Sequence, residues 1–265
     1  MDWRAIKLNR NSPVPLYYQL VEHIRESVRV EQLVMDMKLS AERDIAEQAG
    51  VSRMTVRQAL AFLEREGILA VRPGIGTFVA APKLTYNALH LAGFAEETMR
   101  QGGAVVSRVI ELGVVSPPTP VETALRLSSG ESAIKIVRLR AAGDDPLLLE
   151  TSYLPADRCA GLELENLESQ SLYTLLETRY GLPLMRATQT IEASAATEFE
   201  ANLFGVDDGA PVLIVEGVAY TADEQPIECF RAVYRADRVS LGLESRRALH
   251  GEETGVSQVS VVLSP

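Results

Sequence analysis

Hydrophobic residues in the first 70 positions recur with the spacing of amphipathic helices. The apolar stripe of the first predicted helix contains Leu16, Leu20, Ile24 and Val28. A second, shorter helix is predicted after Ser40 as its N-cap, and it ends at Gly50, a residue suited to the left-handed helix terminus. Ser52 is predicted to cap a third helix, which runs to Gly67.

The segment ILAVRPGIGTFVA follows the third helix and contains two short β-rich runs around a Pro-Gly-Ile-Gly turn. This pattern predicts a β-hairpin. Two short helices joined by the tight AGVS connection and followed by a hairpin indicate a winged helix-turn-helix. We expect this DNA-binding domain to occupy residues 1–80.

The pattern changes near position 105 to alternating strands and helices. Predicted strands are Val105–Val115, Ala133–Ala141, Leu147–Leu154, Ala187–Ala193, Val212–Ala222 and Ile227–Arg235. Predicted helices are Val121–Leu127, Ser171–Tyr180 and Thr197–Phe204. Hairpin turns at AAGDDP and ADEQP favour an α+β domain on a mainly antiparallel sheet.

This second domain is expected over residues 104–243, where we place both effector binding and dimerisation. A linker at 81–103 is expected to hold one short helix, Phe94 to Arg100. A polar C-terminal tail at 244–265 ends in VSQVSVVLSP, which suits either an edge strand or a disordered segment.

The charge of the chain is unevenly distributed. The net charge is -10, yet residues 1–80 hold 11 basic and 10 acidic residues, whereas the remainder holds 15 and 26. An acidic surface repels nucleic acid, so any DNA contact must come from the N-terminal segment. The chain has no apolar run of membrane-spanning length and no secretory signal, and its two cysteines are far apart. We therefore expect a cytoplasmic protein without membrane contact, metal or cofactor, with both thiols buried.

Arg53 and Arg57 lie one helical turn apart at the front of the third helix. In a helix-turn-helix this end enters the major groove. Thr55 adds a hydroxyl, and the hairpin's Arg72 and two glycines allow close approach to DNA. The alternative is that both helix arginines only form surface ion pairs, with Glu64 or Asp44 as the available partners.

Several segments in the same order and spacing resemble the GntR family of transcription regulators, HutC subfamily. They are PLYYQL, SAERDIAEQAGVSRMTVRQALAFLEREGIL and GIGTFVA, then VRLRAAGDDPLLLETSYLP, SLYTLLE and PIECFRAVYRADR. The resemblance implies a UTRA-type, chorismate-lyase-like sensing domain. It also implies that Arg43, Arg53, Thr55, Arg57 and the hairpin tip at Gly74 contact DNA. With the residues indicated by the local pattern, the expected DNA-binding set is Arg43, Ser52, Arg53, Thr55, Arg57, Arg72, Gly74 and Gly76.

The chain departs from the family pattern near the second helix. Glu31 and Asp36 stand where family members have glycine, and Leu-Ser-Ala-Glu-Arg replaces Leu-Pro-Ser-Glu-Arg, with Ala41 in place of the serine. Two added acids and one missing hydroxyl near the DNA face bear on affinity and operator choice.

Alternation along the strands places polar side chains beside an apolar row. Ile134, Ile136, Arg138 and Arg140 share one face of their predicted strand. Two guanidiniums beside a helix N-terminus suit a phosphate or carboxylate. The expected effector-binding set is Arg138, Arg140, Glu150, Ser171, Tyr173, Glu228 and Tyr234, which the resemblance also supports. The alternative is structural, with Arg138–Glu150 and Arg140–Glu228 as cross-strand ion pairs.

We therefore expect a homodimeric repressor that binds a double-stranded DNA operator and is controlled by a small anionic metabolite, a phosphorylated sugar or another carboxylate or phosphate compound. Two other interpretations stay open at this point. Glu150 and Glu228 are paired carboxylates of the kind that perform acid–base catalysis, which would suit an enzyme. A scaffold with a degenerate pocket is the third.

Overall fold

A computed structural model of the chain describes residues 3–87 and 105–242. Its N-terminal part has three helices and a hairpin, as the sequence predicts. Their bounds are Leu16–Arg29 (α1), Glu42–Ala49 (α2), Arg53–Arg65 (α3), Leu69–Arg72 (β1) and Gly76–Val79 (β2). β1 and β2 pair antiparallel. The predicted winged helix-turn-helix is thus confirmed.

The apolar stripes of the three helices meet in one core. Its fully buried side chains include Leu20, Ile24, Ile45, Val56 and Leu63. Burying a side chain of this size stabilises the fold by roughly 1.5–3 kcal/mol. α3 packs against α1 and α2, so its remaining face and its N-terminal end stay exposed.

The predicted N-cap of α2 is wrong by one residue. Ala41 holds the N-cap position and has no capping side chain. The hydroxyl of Ser40 instead accepts a hydrogen bond from Nε1 of Trp3, at 3.0 Å. A short 3₁₀ helix, Trp3–Ala5, brings this indole in, so a contact across 37 positions takes the serine that the local pattern assigned to capping.

The second domain is built on a six-stranded antiparallel sheet in the order β4-β5-β6-β9-β8-β7. The strands are Val105–Val115 (β4), Ala133–Ala142 (β5), Asp145–Pro155 (β6), Leu184–Ala195 (β7), Pro211–Thr221 (β8) and Pro226–Arg235 (β9). β4 has the predicted bounds, and the others shift by at most three residues at either end. The predicted α+β class is confirmed.

Helices cover parts of both faces of this sheet. They are Thr119–Leu125 (α4), Leu172–Thr178 (α5) and Glu198–Phe204 (α6). α5 packs Leu172, Leu175 and Leu176 against Ile134 and Ile136 of β5. On the opposite face, Phe204 of α6 packs against Leu149 and Val233. The sheet thus lies between two apolar layers, and its strands carry side chains into each.

A second, two-stranded sheet was not predicted. Leu84–Asn87 (β3) pairs in parallel with Val239–Gly242 (β10), so the predicted linker includes a strand that joins the end of the second domain. The predicted helix at Phe94 to Arg100 and the tail beyond 243 lie outside the described residues. No helix in the described parts of the chain is long and apolar enough to cross a membrane.

Candidate DNA interface and effector site

The N-terminus of α3 is organised by two hydroxyl side chains. Oγ of Ser52 accepts the backbone amide of Thr55 at 3.0 Å, which confirms Ser52 as the N-cap. The two hydroxyl oxygens also lie 2.8 Å apart, within hydrogen-bond distance of each other. This arrangement fixes the end of the helix and the direction of its first exposed side chains.

The two arginines at this end differ in their surroundings. Arg53 is exposed, and no residue of the described chain forms an ion pair with it. Arg57 is 59% exposed but lies 3.0 Å from the carboxylate of Glu42 in α2. The ion-pair alternative therefore holds for Arg57, with Glu42 rather than Glu64 or Asp44 as the partner. Because exposed pairs are weak, a phosphate can displace this carboxylate.

Arg43 is also exposed on this side of the domain. Its Nε lies 3.4 Å from the carboxylate of the neighbouring Asp44. Three of the predicted DNA contacts, Arg43, Arg53 and Arg57, are thus accessible arginines in α2 and α3.

The hairpin presents Arg72 close to a carboxylate. Its Nη2 lies 2.5 Å from Oδ1 of Asp36, and its guanidinium stacks 4.2 Å above the ring of Phe78. The two hairpin glycines have positive φ, 73° at Gly74 and 140° at Gly76. A Cβ at Gly76 would come within 2.7 Å of the Lys38 side chain, whereas Gly74 faces open space. Gly74 is therefore the glycine that leaves the hairpin tip open to a ligand.

The two acids at the family's glycine positions adopt the backbone conformation that glycine favours. φ is 57° at Glu31 and 62° at Asp36. For a residue with a side chain this region costs about 1 kcal/mol. The departures from the family pattern thus add strain and negative charge to this loop, and Asp36 places its charge against Arg72 of the hairpin.

Most of the predicted effector residues converge in one buried polar cluster on the α5 side of the sheet. β5 and β6 place Arg138 directly opposite Glu150, and their side chains are 2.5 Å apart. Nη1 of Arg140 also lies 3.3 Å from the same carboxylate. Only 3% of the Arg138 side chain is exposed.

Glu228 belongs to the same cluster but has different partners. Ser152 donates to its Oε1 at 2.6 Å, and Tyr173 of α5 donates to its Oε2 at 3.0 Å. The predicted Arg140–Glu228 pair is therefore wrong, whereas the Arg138–Glu150 pair is present. Tyr173 thus contributes its hydroxyl to the cluster.

The pKa values of the two carboxyl groups of the cluster are shifted in opposite directions. Burial alone raises the pKa of Glu150, but the charges of Arg138 and Arg140 outweigh it and hold that pKa below its ordinary value. Burial and the negative charge of Glu150 raise the pKa of Glu228 to about 7, although Ser152 and Tyr173 donate to it. The cluster thus contains one fixed carboxylate and one carboxyl that titrates near neutrality.

Tyr234 and Ser171 lie at the margins of this cluster. Tyr234 stands opposite Leu148 of β6, and burial followed by the charge of Glu150 raises its pKa. Ser171 is the N-cap of α5, and its hydroxyl accepts the amide of Thr174 at 3.4 Å. Ser171 caps the helix that carries Tyr173 to Glu228, and it has no hydrogen bond to the cluster among the described residues.

The structure also has an open cavity of about 600 Å³ on the opposite face of the sheet. Its lining includes Thr151, Tyr153, Cys229 and Arg231, which alternate with the cluster residues along β6 and β9. None of the predicted effector residues lines it. This cavity is therefore separate from the polar cluster.

The sequence matches two known families over most of its length. Residues 16–79 match the bacterial regulatory proteins of the gntR family, and residues 100–240 match the UTRA domain. The chain belongs to the GntR family. With its UTRA domain it is a regulator of the HutC type. It is a DNA-binding transcription regulator rather than an enzyme, which sets aside the catalytic interpretation of Glu150 and Glu228.

Similar proteins support this GntR assignment over nearly the whole chain. The HTH-type transcriptional repressor NagR of Bacillus subtilis is 37% identical over 233 residues, which cover 88% of this chain and 96% of that protein. The "Probable fructoselysine utilization operon transcriptional repressor" of Escherichia coli K12 is 25% identical, covering 90% of this chain and 98% of its own length. The crystal structure of PhnF from Mycobacterium smegmatis aligns with a TM-score of 0.62 and 28% identity, over 88% of this chain and 99% of that one.

One member of the cluster of this GntR regulator, Ser152, was not predicted from the sequence. Ser152 is fully buried and donates to Glu228, yet it was not among the predicted effector residues. Its signal was present, since it shares a strand face with Glu150 two positions earlier. The predicted burial of both thiols also needs correction, because Cys159 is buried whereas Cys229 is partly exposed.

Proposed function

We propose that this chain is a homodimeric repressor whose operator binding is modulated by a small anionic metabolite held in the polar cluster. The observation that carries the proposal is the incomplete hydrogen bonding of the Arg138 side chain. This side chain is buried and only its Nη2 is bonded, to Glu150. Its Nε and Nη1 are buried without a hydrogen-bond acceptor among the described residues.

Buried donors of this kind favour an anionic ligand. Leaving a buried polar group unsatisfied costs roughly 1–3 kcal/mol, and more when the group is charged. One carboxylate, Glu150, serves both Arg138 and Arg140. A phosphate or carboxylate would supply the acceptors that Arg138 lacks, in the forked geometry that guanidinium favours.

The rest of the cluster suits a ligand that also carries hydroxyl groups. Glu228, Ser152 and Tyr173 form a connected set of donors and acceptors beside the arginines. A phosphorylated sugar matches both halves. The name of one relative, the fructoselysine utilization repressor, is in keeping with a sugar-derived effector.

On the DNA side, we propose that Arg53 reads base edges, with Arg43, Arg57 and the hairpin contacting the backbone. A single winged helix reads few base pairs, so two copies on a two-fold operator are expected, with half-sites about one helical turn apart. Effector binding would shift the balance between two dimer arrangements, typically by 1–3 kcal/mol. We propose that the regulator acts in the cytoplasm, where it meets the DNA.

A thermal-shift series tests the effector proposal. The panel contains hexose phosphates, the matching unphosphorylated sugars, simple carboxylates and inorganic phosphate. We expect a phosphorylated compound to raise the melting temperature, as required for a ligand of the folded state. Arg138→Met should abolish the shift, whereas Arg186→Met, which alters an exposed arginine paired with Glu224, should retain it. An unaltered shift in Arg138→Met would contradict the assignment.

A DNA selection tests the proposed operator binding. The wild-type protein is used to enrich duplexes from a random-sequence library, and the enriched duplex is then footprinted with and without the stabilising compound. We expect two protected half-sites related by two-fold symmetry, and a change in occupancy of about 5–150-fold on adding the compound. A single unpaired footprint would count against the homodimer.

A further inference from the structure

The C-terminal end of the recognition helix lies against the second domain. Gly67 follows α3 with φ of 72°, and it is buried. A Cβ at this position would lie 1.8 Å from the backbone carbonyl oxygen of Asp237. Only a residue without a side chain permits this approach of two backbones. Both the contact between domains and the positive φ of the turn therefore require glycine at position 67.

The same turn of the second domain also contacts the chain segment that leaves the hairpin. Nζ of Lys83 donates to the carbonyl of Ala236 at 2.6 Å. The amide of Leu84 donates to the carbonyl of Arg238 at 3.0 Å and begins the parallel β3–β10 pair. Two separate parts of the N-terminal half thus meet the short turn from Arg235 to Arg238.

Ion pairs of the buried Arg235 and the partly exposed Arg238 stabilise this turn. Arg235 is 2.6 Å from Asp145 at the start of β6 and 2.7 Å from Asp237 within the turn. Arg238 is 3.0 Å from Asp145 as well. Asp145 thus pairs with both arginines of the turn. Movement of the turn therefore requires movement of the β5–β6 hairpin or of β9.

β9 connects the turn to the polar cluster. It carries Glu228, and Tyr234 is the residue immediately before Arg235. Tyr234 packs in the same apolar group as Leu84 and Val239, which belong to β3 and β10. β9 is therefore a direct backbone connection between the cluster and the turn.

We propose that the turn from Arg235 to Arg238 is the docking surface for the C-terminal end of the recognition helix, and that this contact couples the polar cluster to the DNA-binding domain. Gly67 is the positioning residue of the contact. The coupling role rests on the proposed function, whereas the docking contact does not. Because linkage is reciprocal, DNA bound at one end of α3 must alter the turn at the other.

Hydrogen exchange of the full-length protein, followed by mass spectrometry, tests the contact. In Gly67→Ala, the backbone amides of residues 236–242 should exchange roughly ten-fold faster than in the wild type. Gly50→Ala is the matched control, because Gly50 also ends a helix at φ of 66° but has nothing within 4 Å of the added methyl. It carries the same backbone strain and should leave residues 236–242 unchanged.

A second variant covers the case in which Gly67→Ala does not fold. Lys83→Met keeps the aliphatic stem and removes the bond to Ala236, so it should speed exchange in the same peptide. Unchanged exchange at 236–242 in whichever of these two variants folds would overturn the docking contact. Faster exchange in Gly50→Ala as well would also overturn it, since strain alone would then explain the effect.

To test the coupling role, hydrogen exchange is measured again after adding the duplex enriched by the wild-type protein. We expect this DNA to change exchange at 236–242 in the wild type and to lose that effect in Gly67→Ala. A duplex that binds but leaves this peptide unchanged in the wild type would overturn the coupling. Failure to enrich any duplex would instead contradict the proposed function, while the docking result would stand on its own measurement.

Discussion

Replacing Glu228 by glutamine should remove a pH dependence from the stability of the second domain. In the folded chain the pKa of Glu228 is about 7, against an ordinary value of 4.5. Between these values the unfolded chain has lost the proton while the folded chain retains it. The folded state then binds more protons, so stability falls as pH rises through this range and is constant above it.

The size of the effect follows from the pKa difference. At 1.36 kcal/mol per pH unit, the wild type loses about 3 kcal/mol of unfolding free energy between pH 4.5 and pH 7 through this one group. Glutamine has nearly the same shape and cannot ionise. Ser152 can still donate to its amide oxygen, so we expect Glu228→Gln to gain stability relative to the wild type as pH rises.

Denaturant unfolding at pH 5, 6, 7 and 8 checks this. Far-UV circular dichroism follows both domains, whereas fluorescence of Trp3, the one tryptophan of the chain, follows the N-terminal domain in which it is buried. The difference in unfolding free energy between the variant and the wild type should grow with pH when unfolding is followed by dichroism. It should stay constant when unfolding is followed by Trp3 fluorescence. Glu198→Gln, at an exposed glutamate, is the control. Parallel stability profiles for Glu228→Gln and the wild type would refute the reasoning.

The remaining predictions concern the DNA-binding domain. Asp36→Gly should stabilise this domain by about 1 kcal/mol, because glycine adopts positive φ without strain. It should also steepen the slope of log binding constant against log salt concentration by up to about 0.9 per protomer if the released Arg72 reaches a phosphate. Glu31→Gly relieves the same strain without releasing Arg72, so an equal steepening of the salt dependence, measured by fluorescence anisotropy, would contradict this account. Arg53→Ala should cost about 1–3 kcal/mol of operator binding, whereas Arg65→Ala at the far end of α3 should cost little; similar losses would remove Arg53 from the readout.

Local periodicity was sufficient to predict most helices and strands. The buried stripe of α3 and the bounds of β4 follow from apolar spacing, because the core on each side selects that spacing. Alternation also placed Arg138 and Glu150 on a common face, since adjacent antiparallel strands with a short turn have one natural register.

Contacts between distant segments were not predictable in the same way. Alternation predicts the sheet face on which Glu228 lies but not its hydrogen-bond partner on the neighbouring strand. The observed β6–β9 register brings Glu228 to Ser152 of β6 rather than to Arg140 of β5. Ser40 was assigned to capping because its partner, Trp3, lies 37 positions away. The β3–β10 pair joins two four-residue runs that lie 155 positions apart, each too short for any periodic signal.

The position of β9 beside β6 has a consequence for how the protein is made. The sheet consists of two halves, β4-β5-β6 and β9-β8-β7, and only the β6–β9 junction unites them. Arg138 and Glu150 lie in the first half and Glu228 in the second, so the ribosome must finish β9 before these groups can meet. Pairing over such a sequence separation is slow to form. A chain arrested between Pro155 and Pro226 would display the unpaired edge of β6 and tend to self-associate, so early truncation should yield aggregates rather than a weaker regulator.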